Sequence, residues 1–341
     1  MRIGRSEEHD KKYQGSKALN RVIIPLYIPH ENDYYKDSFK IFKSCVTSLR
    51  LTSDNITPIS VIANGCSKEI HSKLLDLQND GLIDELLLET EQLGKVNSLR
   101  RVIGASEEPY LTITDGDVMF LKGWDAQVSQ VFQNFPRATV VSPVPNFKTF
   151  NQFTSNIWLE HLWSGKVVFE NSADPEGLEK FAKSIGWPYL NDNQKDVILT
   201  ITIKDFKATV GCGHFCATYK RDALLFAPNE SSEFVLSGNS EEVYLDIPTV
   251  RNDGYRLSTH KNHAYHLGNT WESWMDQELS NLNNLDTEKI YWPSYSKIKE
   301  KPLRYWIKFI FFKNLLSKKK VYNYAISCFK LPLVFRDHYL K

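Results

Sequence analysis

Tyr110-Leu-Thr-Ile-Thr-Asp-Gly-Asp-Val-Met-Phe120 is an acidic turn set between two apolar segments. Tyr110 to Thr114 has the composition of a buried strand, so Asp115 and Asp117 project from the turn that ends it. Two carboxylates at this spacing attract Mg²⁺ or Mn²⁺, which keep coordination positions open for substrate phosphates. Gly116 between them lets a bulky anion approach the backbone. A surface turn rich in Asp and Gly has the same residues, so the sequence around the turn decides between these interpretations.

Strands and helices alternate before this turn. The apolar patterns predict strands at 21–25, 58–63, 83–89 and 110–114, and helices at 33–50, 68–78 and 93–105. The first strand is expected to leave the sheet at Pro25, because proline cannot donate to a central ladder. This alternation predicts βαβ units and a parallel sheet, with the functional crevice at the carboxyl ends of the strands. Tyr27, Asn64 and the acidic turn all fall at those ends.

The composition bounds the class of protein. With 341 residues, 42% hydrophobic and 24% charged, the chain fits one catalytic domain with additions rather than a disordered or fibrous protein. Five scattered cysteines without a secretory signal indicate reduced thiols and a cytoplasmic protein. Cys212 and Cys216 are spaced like zinc ligands, but a second ligand pair at usable spacing is missing.

The expected organisation has three parts. Residues 1–20 are polar and predict a mobile N-terminal arm, 21–270 form the catalytic domain, and 271–341 form a helical, basic and amphipathic extension. Within the domain, 146–209 is irregular and aromatic apart from a helix near 175–185, and it is interpreted as an insertion that binds the acceptor.

Several segments together resemble the GT-A glycosyltransferases of the family 2-like group, over roughly residues 20 to 270. They are Val22-Ile-Ile-Pro-Leu-Tyr-Ile-Pro29, Asn64-Gly-Cys-Ser67, Leu93-Gly-Lys-Val-Asn-Ser-Leu-Arg-Arg101, the acidic turn and Gly123-Trp-Asp125. The resemblance implies a GT-A (Rossmann-like) α/β fold with a mixed, mainly parallel sheet flanked by helices. It also implies that donor-binding residues are Pro25, Tyr27, Asn64, Lys95, Arg101, Asp115 and Asp117.

The same resemblance implies the catalytic and metal-binding residues. Gly238-Asn-Ser-Glu-Glu-Val-Tyr-Leu-Asp246 resembles the family's acidic motif, so Glu242 is expected to be the general base that deprotonates the acceptor hydroxyl, with Glu241 orienting it. Two solvated acids at the start of a helix would look alike. His266 is expected to join Asp115 and Asp117 in binding Mn²⁺ or Mg²⁺.

The implied activity is transfer of a sugar from a nucleotide-sugar donor, expected to be a UDP-sugar, to a hydroxyl of a glycan or lipid-linked acceptor with inversion. The resemblance suggests bacterial surface polysaccharide or lipopolysaccharide synthesis. The alternatives are a nucleotidyltransferase, which lacks its glycine-rich basic loop here, and a nonenzymatic carbohydrate-binding protein, which would not need these acids.

The C-terminal residues 302–341 carry nine Lys or Arg against Asp337, a charge of +8 that leaves −7 for residues 1–301. Nucleic acid is not an expected partner because of that acidic remainder. The apolar run from Tyr305 to Leu316 is interrupted by lysines and is too short to span a bilayer. It fits a helix lying on an anionic membrane on the inner face of the cell, or a helix packed on the catalytic domain with a cationic edge.

Overall fold

The protein is described by a computed structural model for residues 9, 11–12, 15–186, 197–235, 238–282 and 290–340. Most of the predicted arm at 1–20, and part of the predicted insertion at 146–209, lie outside these described residues. The strands are β1 Asn20–Leu26, β2 Ile59–Asn64, β3 Glu85–Glu89, β4 Tyr110–Thr114, β5 Val118–Phe120, β6 Ala138–Ser142, β7 Val167–Asn171, β8 Val197–Ile203, β9 Phe206–Val210, β10 Cys216–Lys220, β11 Tyr255–Ser258 and β12 Ala264–His266.

The helices fall between and after the strands. They are α1 Ser38–Thr52, α2 Lys68–Asn79, α3 Lys95–Ala105, α4 Trp124–Asn134, α5 Ser155–His161, α6 Pro175–Ser184, α7 Arg221–Leu224, α8 Ile247–Val250, α9 Ser273–Leu282, α10 Pro302–Leu316, α11 Lys319–Cys328 and α12 Arg336–Tyr339. A π-helical turn, Glu242–Asp246, leads into α8.

Ten strands form one mixed sheet in the order β3-β2-β1-β4-β10-β6-β11-β9-β8-β7. The neighbours β3, β2, β1 and β4 are parallel, and β6 pairs with β11 in parallel. Strand β10 runs antiparallel to both β4 and β6. The predicted α/β class, with a mixed sheet whose parallel strands are flanked by helices, is confirmed.

The predicted elements before the acidic turn are present with small shifts in their ends. Strand β4 has the predicted bounds, and α2 and α3 begin and end within two residues of them. Strand β1 was predicted to end at Pro25, but it continues to Leu26 along β2. Its pairing with β4 stops at Ile23, so the missing N–H of Pro25 falls on the side where no partner strand follows.

Residues 146–209 do more than form an irregular insertion. Strands β7, β8 and most of β9 come from this region and extend the main sheet as an antiparallel meander, which ends at the edge strand β7. Helix α6 lies where the sequence predicted one, and Asp174 caps it by accepting a hydrogen bond from the Gly177 N–H.

The C-terminal residues are built into the body of the protein. Trp292 and Tyr295 pack on Tyr110 of β4, and Phe312 of α10 packs on Trp158 of α5. All of these rings join one buried hydrophobic cluster or its rim. The helices predicted for the extension are present. Within the described part of the chain, none of the helices combines the length and the hydrophobicity needed to cross a bilayer.

Candidate active site

The acidic turn lies between the main sheet and a small second sheet formed by β5 and β12. The Asp115 N–H donates to the Phe215 carbonyl oxygen (2.7 Å), and the Leu267 N–H donates to the Asp117 carbonyl oxygen (2.7 Å). The turn is therefore held on both sides by backbone hydrogen bonds. This fixes the direction of its two carboxylates at the carboxyl end of β4.

Gly116 packs closely on the residues beneath the turn. A Cβ atom there would lie 3.1 Å from Leu26 Cδ1 and 3.2 Å from Phe42 Cδ2. The glycine thus lets the turn sit directly on the hydrophobic core below it. This packing is a second reason for a glycine here, beside the predicted approach of an anion to the backbone.

Lys95 is the cation of the cleft. Its Nζ lies 2.5 Å from Asp115 Oδ1 and 2.6 Å from Glu241 Oε1, and only 15% of its side chain is exposed. Burial lowers the pKa of Lys95, but the two carboxylates outweigh that effect and raise it above its usual range. The preceding Gly94 has φ of +89°, and a Cβ there would lie 2.7 Å from the Val235 backbone. Glycine therefore allows Lys95 to start α3 inside the cleft.

Asp117 and His266 face each other across the junction of β5 and β12. His266 Nε2 is 3.4 Å from Asp117 Oδ2, and its Nδ1 is 3.1 Å from Ser184 Oγ. Among the residues that the structure describes, the buried Asp117 Oδ1 has no hydrogen-bond partner. Burial raises the pKa of Asp117, and His266 opposes the rise. A divalent cation would satisfy that oxygen, so the donor set fits one.

The protein alone supplies only part of the ligand set that a divalent cation needs. No cluster of three His, Cys, Asp or Glu side chains is arranged as a ready ligand set in the described ranges. Asp117 and His266 offer an oxygen and a nitrogen, and Asp115 lies next to them on the turn. An ion bound here would take its remaining ligands from water or from phosphate oxygens, as Mg²⁺ commonly does.

His214 is a site residue that the sequence interpretation did not identify. Its Nε2 lies 2.9 Å from Glu241 Oε2, and its Nδ1 lies 3.5 Å from Asp246 Oδ2. Burial lowers the pKa of His214, but Asp246 and Glu241 raise it to about 9. Asp246 also forms an ion pair with the buried Arg256, whose Nη2 lies 2.8 Å from Asp246 Oδ1. His214 is therefore an imidazolium at neutral pH.

Glu241 is held by two cations, Lys95 and His214. Burial raises the pKa of Glu241, but the hydrogen bond from His214 and the charge of Lys95 hold it far below its usual range. The conjugate acid of such a carboxylate is strong, so Glu241 accepts a proton poorly. Its neighbour Glu242 starts the π-helical turn and faces another cavity, near Tyr305.

Two cavities meet at Glu241. The first, about 610 Å³, contains most of the predicted donor-binding residues: Pro25, Tyr27, Asn64, Lys95, Asp115 and Asp117. The second, about 800 Å³, is lined by the polar residues His214, Glu241, Glu242 and Asp246, by Phe153, and by residues of α10. We call them the donor cleft and the acceptor cavity. A molecule bound in the donor cleft can therefore contact a molecule bound in the acceptor cavity beside Glu241.

Of the two predicted donor-binding residues Asn64 and Arg101, only Asn64 lies at the donor cleft. The Asn64 side chain lies at the wall of the donor cleft, where its Oδ1 accepts a hydrogen bond from the Leu93 N–H (2.7 Å). Arg101 does not line that cleft. It pairs with Glu89 (3.1 Å) and borders a separate pocket beside β3. Six residues after Lys95 on a helix, its side chain points about 120° away from that of Lys95.

Cys212 and Cys216 do not offer thiolates for zinc. Both are buried, and all five cysteines are free. Burial raises the pKa of Cys212 to about 12 and that of Cys216 well above its usual value. Both therefore stay protonated thiols, which are poor metal ligands.

No protein-family model and no curated protein matches this sequence. Among solved structures the chain is similar to S. aureus TarS, with 13% identity and a TM-score of 0.29 over 37% of this chain and 21% of that one. It is also similar to GalNAc-T7, crystallised with UDP, GalNAc and Mn²⁺, with 10% identity and a TM-score of 0.45 over 94% of this chain and 54% of that one.

Both structures have the GT-A fold. The chain spans about half the length of GalNAc-T7 and about a fifth of TarS. At this level of identity the likeness concerns the fold alone. The chemistry of this chain has to be argued from its own residues.

Proposed function

We propose that the protein is a glycosyltransferase that moves a sugar from a nucleotide-sugar donor, a UDP-sugar in the first instance, to a hydroxyl group of a glycan or lipid-linked acceptor. The observation that carries the proposal is the meeting of the two cavities at Glu241. The acidic turn and Lys95 lie on the donor side, and Glu242 lies on the acceptor side. A transferase needs this arrangement, because the nucleophile must approach the sugar carbon from a side other than the one on which the leaving group departs.

Asp117, Asp115 and His266 would hold a divalent cation, Mn²⁺ or Mg²⁺. When bound, such an ion neutralises charge on a departing nucleoside diphosphate. The Lys95 ammonium adds a second positive charge beside Asp115, and it is fixed before the donor arrives. The presence of UDP and Mn²⁺ with GalNAc-T7 agrees with this donor class.

Glu242 is the proposed general base, and Glu241 is a positioning residue. An acceptor hydroxyl is a weak nucleophile, so a carboxylate in hydrogen-bond reach must take its proton as the new bond forms. Glu241 is already engaged by Lys95 and His214, whereas Glu242 lines the acceptor cavity. Attack from that cavity on the side opposite the diphosphate gives inversion.

The expected setting is part of the proposal. The resemblance to family 2-like enzymes supports synthesis of a bacterial surface polysaccharide or lipopolysaccharide. The basic residues 302–341 support a cytoplasmic protein bound peripherally to the inner face of the membrane.

Release of UDP from a panel of UDP-sugars with Mn²⁺ tests the proposal without an identified acceptor. Asp117→Asn is expected to lose Mn²⁺-dependent UDP binding and donor hydrolysis together. Glu242→Gln is expected to keep UDP binding while hydrolysis falls by about 10²-fold or more, because only the base is removed.

Glu272→Gln is the matched control, since this exposed carboxylate lies outside both cavities. It should behave like the wild-type protein in both measurements. If the wild-type protein neither binds UDP nor hydrolyses any donor in the panel, the chain is not this kind of enzyme. Binding of a free glycan in that case would favour the nonenzymatic carbohydrate-binding alternative.

A further inference from the structure

Helix α10 has apolar side chains around its whole circumference. Tyr305 and Phe312 are buried against the domain. On the opposite side, large apolar residues are between 51% and 75% exposed: Leu303, Trp306, Ile307, Ile310 and Phe311. A helix that is apolar all round is stable when both of its sides are covered. A continuous exposed apolar stripe of this kind marks an interaction surface.

The inner side of α10 forms part of the wall of the acceptor cavity. Phe309, Phe312, Lys313 and Leu316 line the cavity from this helix, and Glu241 and Glu242 line it as well. The cavity therefore offers both carboxylates and hydrocarbon surface. This lining matches an amphiphile that places a hydroxyl group near Glu242 and an apolar chain along α10.

Asp253 fixes the position of the helix. Its buried carboxylate lies 2.7 Å from Lys308 Nζ, 3.1 Å from Arg304 Nη1 and 3.2 Å from Lys301 Nζ. Three cations at the start of α10 thus converge on one carboxylate of the catalytic domain. The exposed apolar stripe is a defined surface of the folded protein, held in a fixed relation to the acceptor cavity.

The charge beside the stripe identifies the surface that covers it. Lys313, Lys318, Lys319 and Lys320 are exposed at the end of α10 and the start of α11. The exposed Trp163 donates to the Tyr324 hydroxyl (3.3 Å), which adds two amphipathic rings beside the same helices. Apolar and aromatic side chains rimmed by lysines are complementary to an anionic lipid surface. Fifteen residues of helix span about 22 Å, less than the about 30 Å of a hydrocarbon core, so α10 would lie along the surface.

We propose that the outer side of α10 lies on an anionic lipid bilayer and that its inner side guides the hydrocarbon chain of a lipid-linked acceptor into the acceptor cavity. One helix thereby joins the membrane to the reaction centre. The inference rests on the proposed glycosyl transfer for the meaning of the cavity, but bilayer binding can be measured separately from donor hydrolysis.

The test is flotation of the full chain with phosphatidylcholine vesicles that contain or lack phosphatidylglycerol. Binding is expected with the anionic vesicles at low salt, and it should weaken by about tenfold or more at high salt, because cation–lipid attraction is screened. Failure of the wild-type protein to bind anionic vesicles at low salt, with donor hydrolysis intact, would overturn this inference and leave the proposed function standing. Vesicle binding by a wild-type protein that hydrolyses no donor would instead overturn the proposed function and the guiding of an acceptor, and it would leave only the contact of α10 with the bilayer.

Two double variants test whether vesicle binding depends on the exposed stripe of α10 or on exposed apolar residues in general. Ile307→Ser with Phe311→Ser is expected to reduce vesicle binding by about tenfold or more, since two inserted apolar groups are lost. Ile56→Ser with Leu75→Ser changes two similarly exposed apolar residues elsewhere and should bind like the wild type. Equal loss in both pairs would contradict the assignment to α10. A wild-type dimer in sedimentation that becomes monomeric only in the α10 pair would also contradict it, because a second copy of the chain would then cover the stripe.

Dodecyl phosphate, used below its micelle concentration, probes the cavity itself. It should raise the melting temperature of the wild-type protein, while inorganic phosphate should not, because only the amphiphile has a chain that can contact the apolar side chains of α10 in the cavity wall. Phe309→Ser should abolish the shift, and the Ile307/Phe311 pair should retain it. A shift that Phe309→Ser leaves unchanged would show that the chain binds elsewhere.

Discussion

Lys95 and His214 give the site its positive charge before any metal or substrate binds. Each contacts Glu241 and a second carboxylate: Lys95 also contacts Asp115, and His214 also contacts Asp246. The three carboxylates Asp115, Glu241 and Asp246 and the three cations, with Arg256 included, form one connected array. Removal of Lys95 leaves the partly buried Asp115 without its partner in the array, which costs more than the pair itself contributes.

His214 gives the array a pH dependence. Its pKa rises from the ordinary 6.5 to about 9 in the folded protein. Because the folded value is the higher one, the imidazolium stabilises the fold fully below pH 6.5, and this contribution is lost as the pH rises from 6.5 to 9. His214 is 40% exposed, so solvent screening limits the contribution to about 1 kcal/mol.

Urea unfolding of the wild type and of His214→Gln across that pH range measures the contribution. The difference in unfolding free energy should be largest at pH 6 and should shrink toward pH 9, as expected from the pKa of about 9. Lys220, whose pKa burial lowers to about 8, titrates in the same range in both proteins and cancels in the difference. A difference that stays constant with pH would show that the Glu241 and Asp246 contacts do not hold a proton on His214.

At the level of elements, strand β10 explains how His214 reaches the cleft. It runs antiparallel to β4, with Cys216 beside Thr114, so the residues just before β10 lie next to the end of β4. The π-helical turn then places Glu241 and Asp246, five residues apart, on the same side toward His214. Such wide turns recur at functional sites.

The sequence predicted the local part of this arrangement and missed the rest. Strand β4 and its turn follow from apolar runs and a Gly between two Asp, which are short-range signals. The pairing of β10 with β4 joins residues about a hundred positions apart, and no periodicity in either segment encodes it. Arg101 was assigned to the cleft by resemblance, but the helical spacing from Lys95 would have placed it on another side.

The junction of α10 with the domain depends on Asp253, and Asp253→Asn tests it. Asn keeps the size and tolerates the left-handed φ of +68° at this position, so the change removes only the charge. Stability should fall by about 1–3 kcal/mol, less than for a fully buried pair because Lys301 and Arg304 are half exposed.

Urea unfolding gives that number, and limited proteolysis within 302–320 reports whether α10 loosens first. Asp205→Asn is a suitable control, because Asp205 also has a positive φ (+66°) but lies exposed in the turn between β8 and β9. Equal stability of Asp253→Asn and the wild type would mean that apolar packing alone holds the helix.

For the whole molecule, the donor cleft lies where the parallel strands end, and the acceptor cavity is lined by residues near β10 and by the second half of α10. The parallel half supplies Pro25, Asn64 and the acidic turn through consecutive strand ends. The other half supplies His214 and the wall of the acceptor cavity. A ligand bound in the donor cleft contacts several of these strand ends and should therefore stabilise the folded protein.

Thermal unfolding measures the stabilisation that a ligand of the donor cleft provides. UDP with Mn²⁺ at about a hundred times its dissociation constant should add about 2.7 kcal/mol of stability, a rise in melting temperature of about 4 °C or more. UDP alone should give a smaller shift, because Asp115 and Asp117 then repel the diphosphate. Asp117→Asn should remove the Mn²⁺-dependent part and keep the part due to UDP alone. A shift that is the same with and without Mn²⁺ in the wild type would place the cation outside the donor cleft and leave Lys95 as the group that holds the diphosphate.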